Sequence, residues 1–124
     1  MNMRVKVFNS LRKMKKYYDK KSNTYDFLTG SANFDLVVFN FDLNVNANIL
    51  AYDIRGINIS VLDIRACDIK ARDINARNIE AVNISYYAAC VAYQNIKCKS
   101  IKGRLENSKH FVLNGKLEVE EENN

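Results

Sequence analysis

The sequence has no proline, no tryptophan, four glycines, three cysteines and a single histidine. So little proline and glycine leaves no linker or low-complexity stretch, and 124 residues fit one domain. No apolar run reaches the length of about 18 residues that a membrane helix needs. The opening MNMRVKVFNSLRKMKK lacks the apolar centre of a signal peptide, so a cytoplasmic protein is expected. Cys67, Cys90 and Cys98 are an odd set without a Cys-x-x-Cys pair, which predicts fillers in a reducing compartment and not disulfides or metal ligands. His110 stands alone at the start of a strand-like run, and no glycine-rich phosphate loop occurs. General acid–base, nucleophilic or metal chemistry needs convergent His, Cys, Asp or Glu groups. The expectation is a protein with no catalytic residues, no metal and no cofactor.

What the chain does have is a repeat. Isoleucine recurs at Ile49, Ile54, Ile59, Ile64, Ile69, Ile74, Ile79 and Ile84, each preceded by Asp or Asn, from Asn48 to Asn83. Two positions after each isoleucine comes a mostly small residue: Ala51, Gly56, Val61, Ala66, Ala71, Ala76 and Ala81, with Tyr86 as the exception. On an α-helix five residues turn about 500°, which spreads the isoleucines around the whole circumference. On a straight strand five steps put successive isoleucines on opposite faces. A corner in every unit resolves the conflict. The pattern therefore predicts a mainly β solenoid in which each Ile-x-Ala triplet is a short side with both residues inward. Three or four sides would make a turn, with Asp or Asn at each bend bonding nearby backbone amides. The residue before Asp/Asn includes Arg72 and Arg77, whose unpaired burial would cost several kcal/mol, so this column is read as outward.

Over roughly residues 48 to 103 this pattern resembles the pentapeptide-repeat proteins, in which a small residue, Asp or Asn, Leu or Phe and two variable residues recur. It is also similar to the segments of bactofilin-like solenoids. The resemblance implies a right-handed parallel β-solenoid, four-sided in the pentapeptide family. Similar small repeat proteins occur in Gram-positive bacteria and their phages, and some of the family block DNA-handling enzymes such as gyrase. A strict DNA mimic should be acidic, whereas this chain carries +5.

Around the repeat, Val7, Leu11, Met14 and Tyr18 have helical spacing, which predicts an N-terminal amphipathic helix that caps the first coil. Phe34-Asp35-Leu36 and Phe41-Asp42-Leu43 look like imperfect early units, and a bulge or loop is expected around Tyr86 to Gln94. Asn114-Gly115 between alternating runs predicts a capping β-hairpin, His110 to Leu113 pairing with Lys116 to Glu120. The last acidic residues are expected to fray. The single domain thus divides into a basic helix and connector (1–30), solenoid repeats (31–103), and a hairpin with an acidic tail (104–124).

Charge is concentrated at one end. Residues 1–21 hold eight Lys/Arg against Asp19, a net of +7, so the rest of the chain sums to about −2. A regular solenoid presents flat ladders of outward residues, a rigid template for another macromolecule. The expected partner-binding residues are Arg12, Lys13, Lys15 and Lys16 in the basic segment, Arg72 and Arg77 on the outward column, and Tyr86, Tyr87 and Tyr93 at the break in the repeat, tyrosine being enriched in interface hot spots. The first expectation is a non-enzymatic protein-interaction module, an inhibitor of a host nucleic-acid enzyme in the manner of anti-CRISPR or gyrase-inhibiting proteins. The alternatives are direct nucleic-acid binding through residues 4–21, and self-assembly into a homo-oligomeric scaffold, against which two capped ends would argue. No membrane partner is expected.

Overall fold

The computed structural model describes residues 3–29 and 32–120. It is a β-solenoid of about five turns. Three flat sides run along it. Side A stacks β1 (Val5–Phe8), β4 (Leu36–Phe39), β7 (Asp53–Gly56), the start of β10 (Asp68–Glu80), the start of β11 (Asn83–Cys98) and β12 (Ser100–Gly103). Side B stacks β5 (Leu43–Asn44), β8 (Asn58–Ser60), the middles of β10 and β11, and β13 (Lys109–Val112). Side C stacks β3 (Thr24–Asp26), β6 (Asn48–Leu50), β9 (Asp63–Arg65), the ends of β10 and β11, and β14 (Lys116–Val119). All these pairings are parallel, as successive coils wound in one sense require. Among the described residues only β2 (Tyr18–Asp19) runs antiparallel, on β3.

Asp53 pairs with Asp68, Asn58 with Asp73 and Asp63 with Asn78, so a regular turn takes 15 residues and three units. The four-sided coil implied by the pentapeptide resemblance is thus replaced by a triangle. The interior of the triangle is filled by the isoleucine columns and the small residues packed beside them. Ile49, Ile64, Ile79 and Ile96 lie in one column of side C, each at most 2% exposed. Each such side chain contributes about 1.5–3 kcal/mol of burial. The small residues Ala51, Ala71, Ala76 and Ala81 are buried beside them, whereas Ile57, Cys67, Arg72, Arg77 and Val82 face solvent, as the sequence requires.

Both expected caps turn out differently. The N-terminal segment is no amphipathic α-helix: Val7 is exposed on β1, and a 3-10 helix follows at Leu11–Tyr17. Of the four apolar residues at helical spacing only Met14 is buried, while Leu11 and Tyr18 are exposed. The aromatic side chains explain the break. Phe8 packs on Tyr17, Phe27 and Phe39 at ring distances of 5.7, 5.3 and 6.1 Å, which ties β1 to side A as its first rung.

At the other end β13 and β14 do not form a hairpin. Each pairs in parallel with β11, and Asn114-Gly115 lies at the corner between sides B and C. Neither residue has the positive φ that a two-residue hairpin turn demands. Gly115 is needed for close approach instead: a Cβ there would lie 1.6 Å from the carbonyl oxygen of Gln94. Among the described residues, no strand pairs with the far edges of β12, β13 and β14. The expected fraying concerns residues 121–124, outside the described range.

The phase slip after Ile84 is absorbed by two one-residue insertions. Tyr87-Ala88 stand opposite Arg72, and Tyr93-Gln94 opposite Arg77. Tyr86, in the small-residue column, is 1% exposed; its hydroxyl shares a 2.6 Å hydrogen bond with Nδ1 of His110. The space for that ring is made by Gly103 in the rung beyond, where a Cβ would lie 2.9 Å from Tyr86 Cζ and 2.2 Å from Ser108 Cβ. Gly103→Ala is therefore expected to destabilise by about 1–3 kcal/mol through overpacking. Urea unfolding of this variant checks it; a loss below about 0.5 kcal/mol, the level of neutral surface changes, would show that the last rung has room to shift.

Candidate interaction surfaces

The Asp/Asn columns build the scaffold that carries the surface. Their side chains were expected to bond backbone at their own bends; most bond the next rung, about 15 residues away. On side C, Asp63 N–H donates to Asn48 Oδ1 (3.2 Å), Asn78 Nδ2 to Asp63 Oδ1 (3.0 Å), Asn95 Nδ2 to Asn78 Oδ1 (3.2 Å) and Lys116 N–H to Asn95 Oδ1 (3.1 Å). On side A, Asn83 Nδ2 donates to Asp68 Oδ1 (2.9 Å) and the Ser100 hydroxyl to Asn83 Oδ1 (2.7 Å). Parallel stacking superimposes equivalent residues, so an amide with both donor and acceptor can link the rungs on either side of it.

One link joins two aspartates through a backbone amide. Asp53 accepts the Asp68 N–H at 3.3 Å, and burial together with the charges of Asp68 and Asp35 raises its pKa. A raised folded-state pKa means stability that is present below the unfolded value and lost as pH rises. Asp53→Asn keeps the acceptor and removes the charge. The variant is expected to melt higher than the parent at pH 7, and the advantage should vanish near pH 3, where about all ordinary aspartate is protonated. Equal melting temperatures at both pH values would show that the repulsion is screened.

The expected partner-binding residues part company. Arg12, Lys13, Lys15 and Lys16 come together on the 3-10 helix, where with Lys6, Val7, Asn9 and Ser10 they line a concavity of roughly 640 Å³ at the N-terminal end. Arg77 is at the corner between sides B and C, its guanidinium bridging both carboxylate oxygens of Asp63 at 3.0 and 2.8 Å. That contact, foremost among several, holds the Asp63 carboxyl below the usual range, and leaves Arg77 less available to a partner. Tyr86 is core, because it occupies an inward column. Tyr87 and Tyr93 are 45% and 53% exposed, but on different corners. Arg72 and Tyr87 share the corner between sides A and B with Arg55, Lys70 and Arg104, around a groove of roughly 480 Å³. Arg104 escaped sequence reasoning because it lies 32 positions from Arg72, beyond the regular repeat, and only the stacking brings them together.

Side C carries a different pattern. Its outward column reads Arg65, Glu80, Lys97 and Glu118, with Arg65 Nε and Glu80 Oε2 3.2 Å apart, so it neutralises itself. The cysteines divide as well: Cys67 is exposed, Cys90 and Cys98 are buried, and burial pushes the Cys90 thiol up to about 12. No group of three or more His, Cys, Asp or Glu suited to a metal ion occurs among the described residues, and no helix there is long and apolar enough to cross a membrane. No family model, curated protein or solved structure matches this chain. The functional reading rests on the surface itself.

Proposed function

We propose that this protein is a non-enzymatic protein-interaction module that holds an acidic protein surface at its N-terminal end. The observation that supports this most is the composition of that end. Arg12, Lys13, Lys15 and Lys16 line the concavity together with the exposed Val7, and the same N-terminal segment exposes Met3, Val5 and Leu11, the four apolar residues being 48%, 65%, 46% and 38% exposed. Positive charge alone suits any polyanion. Charge interleaved with apolar side chains suits a protein, where the charges steer the encounter and the apolar groups supply the desolvated contact. The pentapeptide-repeat likeness directs the choice of partner toward a host nucleic-acid enzyme, with this protein as its inhibitor, carried by a phage or mobile element.

The test is a tagged pull-down from bacterial lysate, with and without nuclease, repeated with Lys13, Lys15 and Lys16 changed to Glu. A nuclease-resistant partner that binds the parent stoichiometrically and not the variant is the expected result. Recovery of nucleic acid alone would replace this reading with direct nucleic-acid binding through residues 4–21.

The open C-terminal rung favours a second reading, self-association. Leu117 stands in the inward column of side C below Ile96 yet is 40% exposed, and among the described residues no strand pairs with the adjoining edges of β12, β13 and β14. Oligomers whose size grows with protein concentration would support it.

A further inference from the structure

The corner between sides A and B holds a second, separate surface. Arg55 and Lys70 pair in register on adjacent rungs of side A, Arg72 follows at the corner, and Arg104 reaches the same groove from the last rung. The lining is completed by Gly56, Ala71 and Tyr87, and contains no carboxylate. None of the four cations forms an ion pair among the described residues, in contrast to Arg65 and Arg77. Rungs lie about 4.8 Å apart, so four like charges sit along a path of about 15 Å and repel one another. Nothing in the repeat requires this. The outward position of side C alternates sign, and the corner position accepts Ile57 and Val82. The one aromatic ring in the groove is Tyr87, at the corner after the inward Tyr86 and opposite Arg72, 45% exposed.

We infer that this groove binds single-stranded nucleic acid. Unneutralised cations spread over the path from Arg55 to Arg104 can hold several phosphates of one strand, and three of the four are guanidiniums, which hold phosphate oxygens in a bidentate fork. The exposed ring of Tyr87 supplies a platform for one base, the combination by which single strands are held without sequence preference. An acidic peptide would also satisfy the charges, and competition by oligoglutamate separates it from a single strand. The groove shares no lining residue with the N-terminal concavity, so this inference stands independently of the proposed protein partner.

Fluorescence anisotropy with a labelled oligothymidylate of about twelve nucleotides tests it on the full chain. The parent is expected to bind with a slope of log affinity against log salt of about −2 to −3, matching three or four phosphates at −0.7 each. Arg72→Gln with Arg104→Gln should flatten the slope by about 1.4. Tyr87→Ala should weaken binding by about 5- to 150-fold and leave the slope unchanged, because the ring carries no charge. Changing Lys13, Lys15 and Lys16 to Glu should leave the groove's contribution in place. Thermal melts identify any variant that has lost its fold, and these positions are all exposed. The inference is overturned if the parent does not bind at low salt, if the N-terminal variant alone abolishes binding, or if Tyr87→Ala binds like the parent. It is also overturned if oligoglutamate of the same length competes as well as unlabelled oligothymidylate, since the groove would then be an acidic-peptide site.

Discussion

Ile79→Ala will destabilise the protein by about 2–5 kcal/mol, whereas Leu117→Ala, in the same inward column, will cost less than about 1 kcal/mol. The column on side C runs Ile49, Ile64, Ile79, Ile96 and Leu117. Ile79 is 1% exposed with a rung on each side of it, and truncation there leaves a cavity that strands tied into two ladders cannot collapse to fill. Among the described residues Leu117 has a rung on one side only, and it already meets solvent. In a solenoid each repeat contacts only its neighbours, so position along the stack sets the cost of a chemically similar truncation. Net stabilities are typically about 5–15 kcal/mol, so the Ile79 variant should lose a large part of the total. Urea titration of both variants at low protein concentration measures the difference. Equal losses would mean that Leu117 is covered in solution, and would direct attention to self-association through that end.

If the proposed protein partner docks at the N-terminal end, changing Lys13, Lys15 and Lys16 together to Glu will weaken its binding by about 100-fold or more, with most of the early loss in the association rate. These three side chains are exposed at the lining of the N-terminal concavity, and their reversal turns an attractive field into a repulsive one. The fold itself should be little affected. Met14, on the same 3-10 helix, provides the buried contact, and the three lysines form no ion pair among the described residues. Titration of parent and variant against the captured partner at two salt concentrations gives the result. A partner that binds both proteins alike docks elsewhere, and the exposed Tyr93 would be the next position to replace.

Much of the architecture was legible because it depends on local pattern. The beat of five residues demanded a corner in every unit, and Arg72 and Arg77 before the Asp/Asn column told inside from outside. The phase slip after Ile84 announced a bulge, which is present as two insertions. The ends were misread for a shared reason. Val7, Leu11, Met14 and Tyr18 satisfy helical spacing, and Asn114-Gly115 satisfies a hairpin turn, but each segment has the option of adding a rung to an existing parallel edge. That edge offers a row of backbone donors and acceptors already in register, and it outweighs a local preference of a few tenths of a kcal/mol per residue. Tyr86 was misread similarly. As an exception to a small-residue column it looked like a surface feature, although the missing side chain at Gly103 makes room for its ring in the core.

The candidate surfaces divide along the same line. Arg12, Lys13, Lys15 and Lys16 are neighbours in sequence, and one 3-10 helix suffices to gather them. Arg55, Lys70, Arg72, Tyr87 and Arg104 come from rungs of different length and become neighbours only when the chain is wound. By itself, then, the sequence determined the length of a side, the inward and outward columns and the basic end, since these follow from alternation within a few residues. The three sides to a turn, the sign of the charge at each corner and the openness of the last rung were decided by the tertiary structure. Those properties depend on which residues lie about 15 positions apart, and that distance is set only when three units close into one turn and stack on the next.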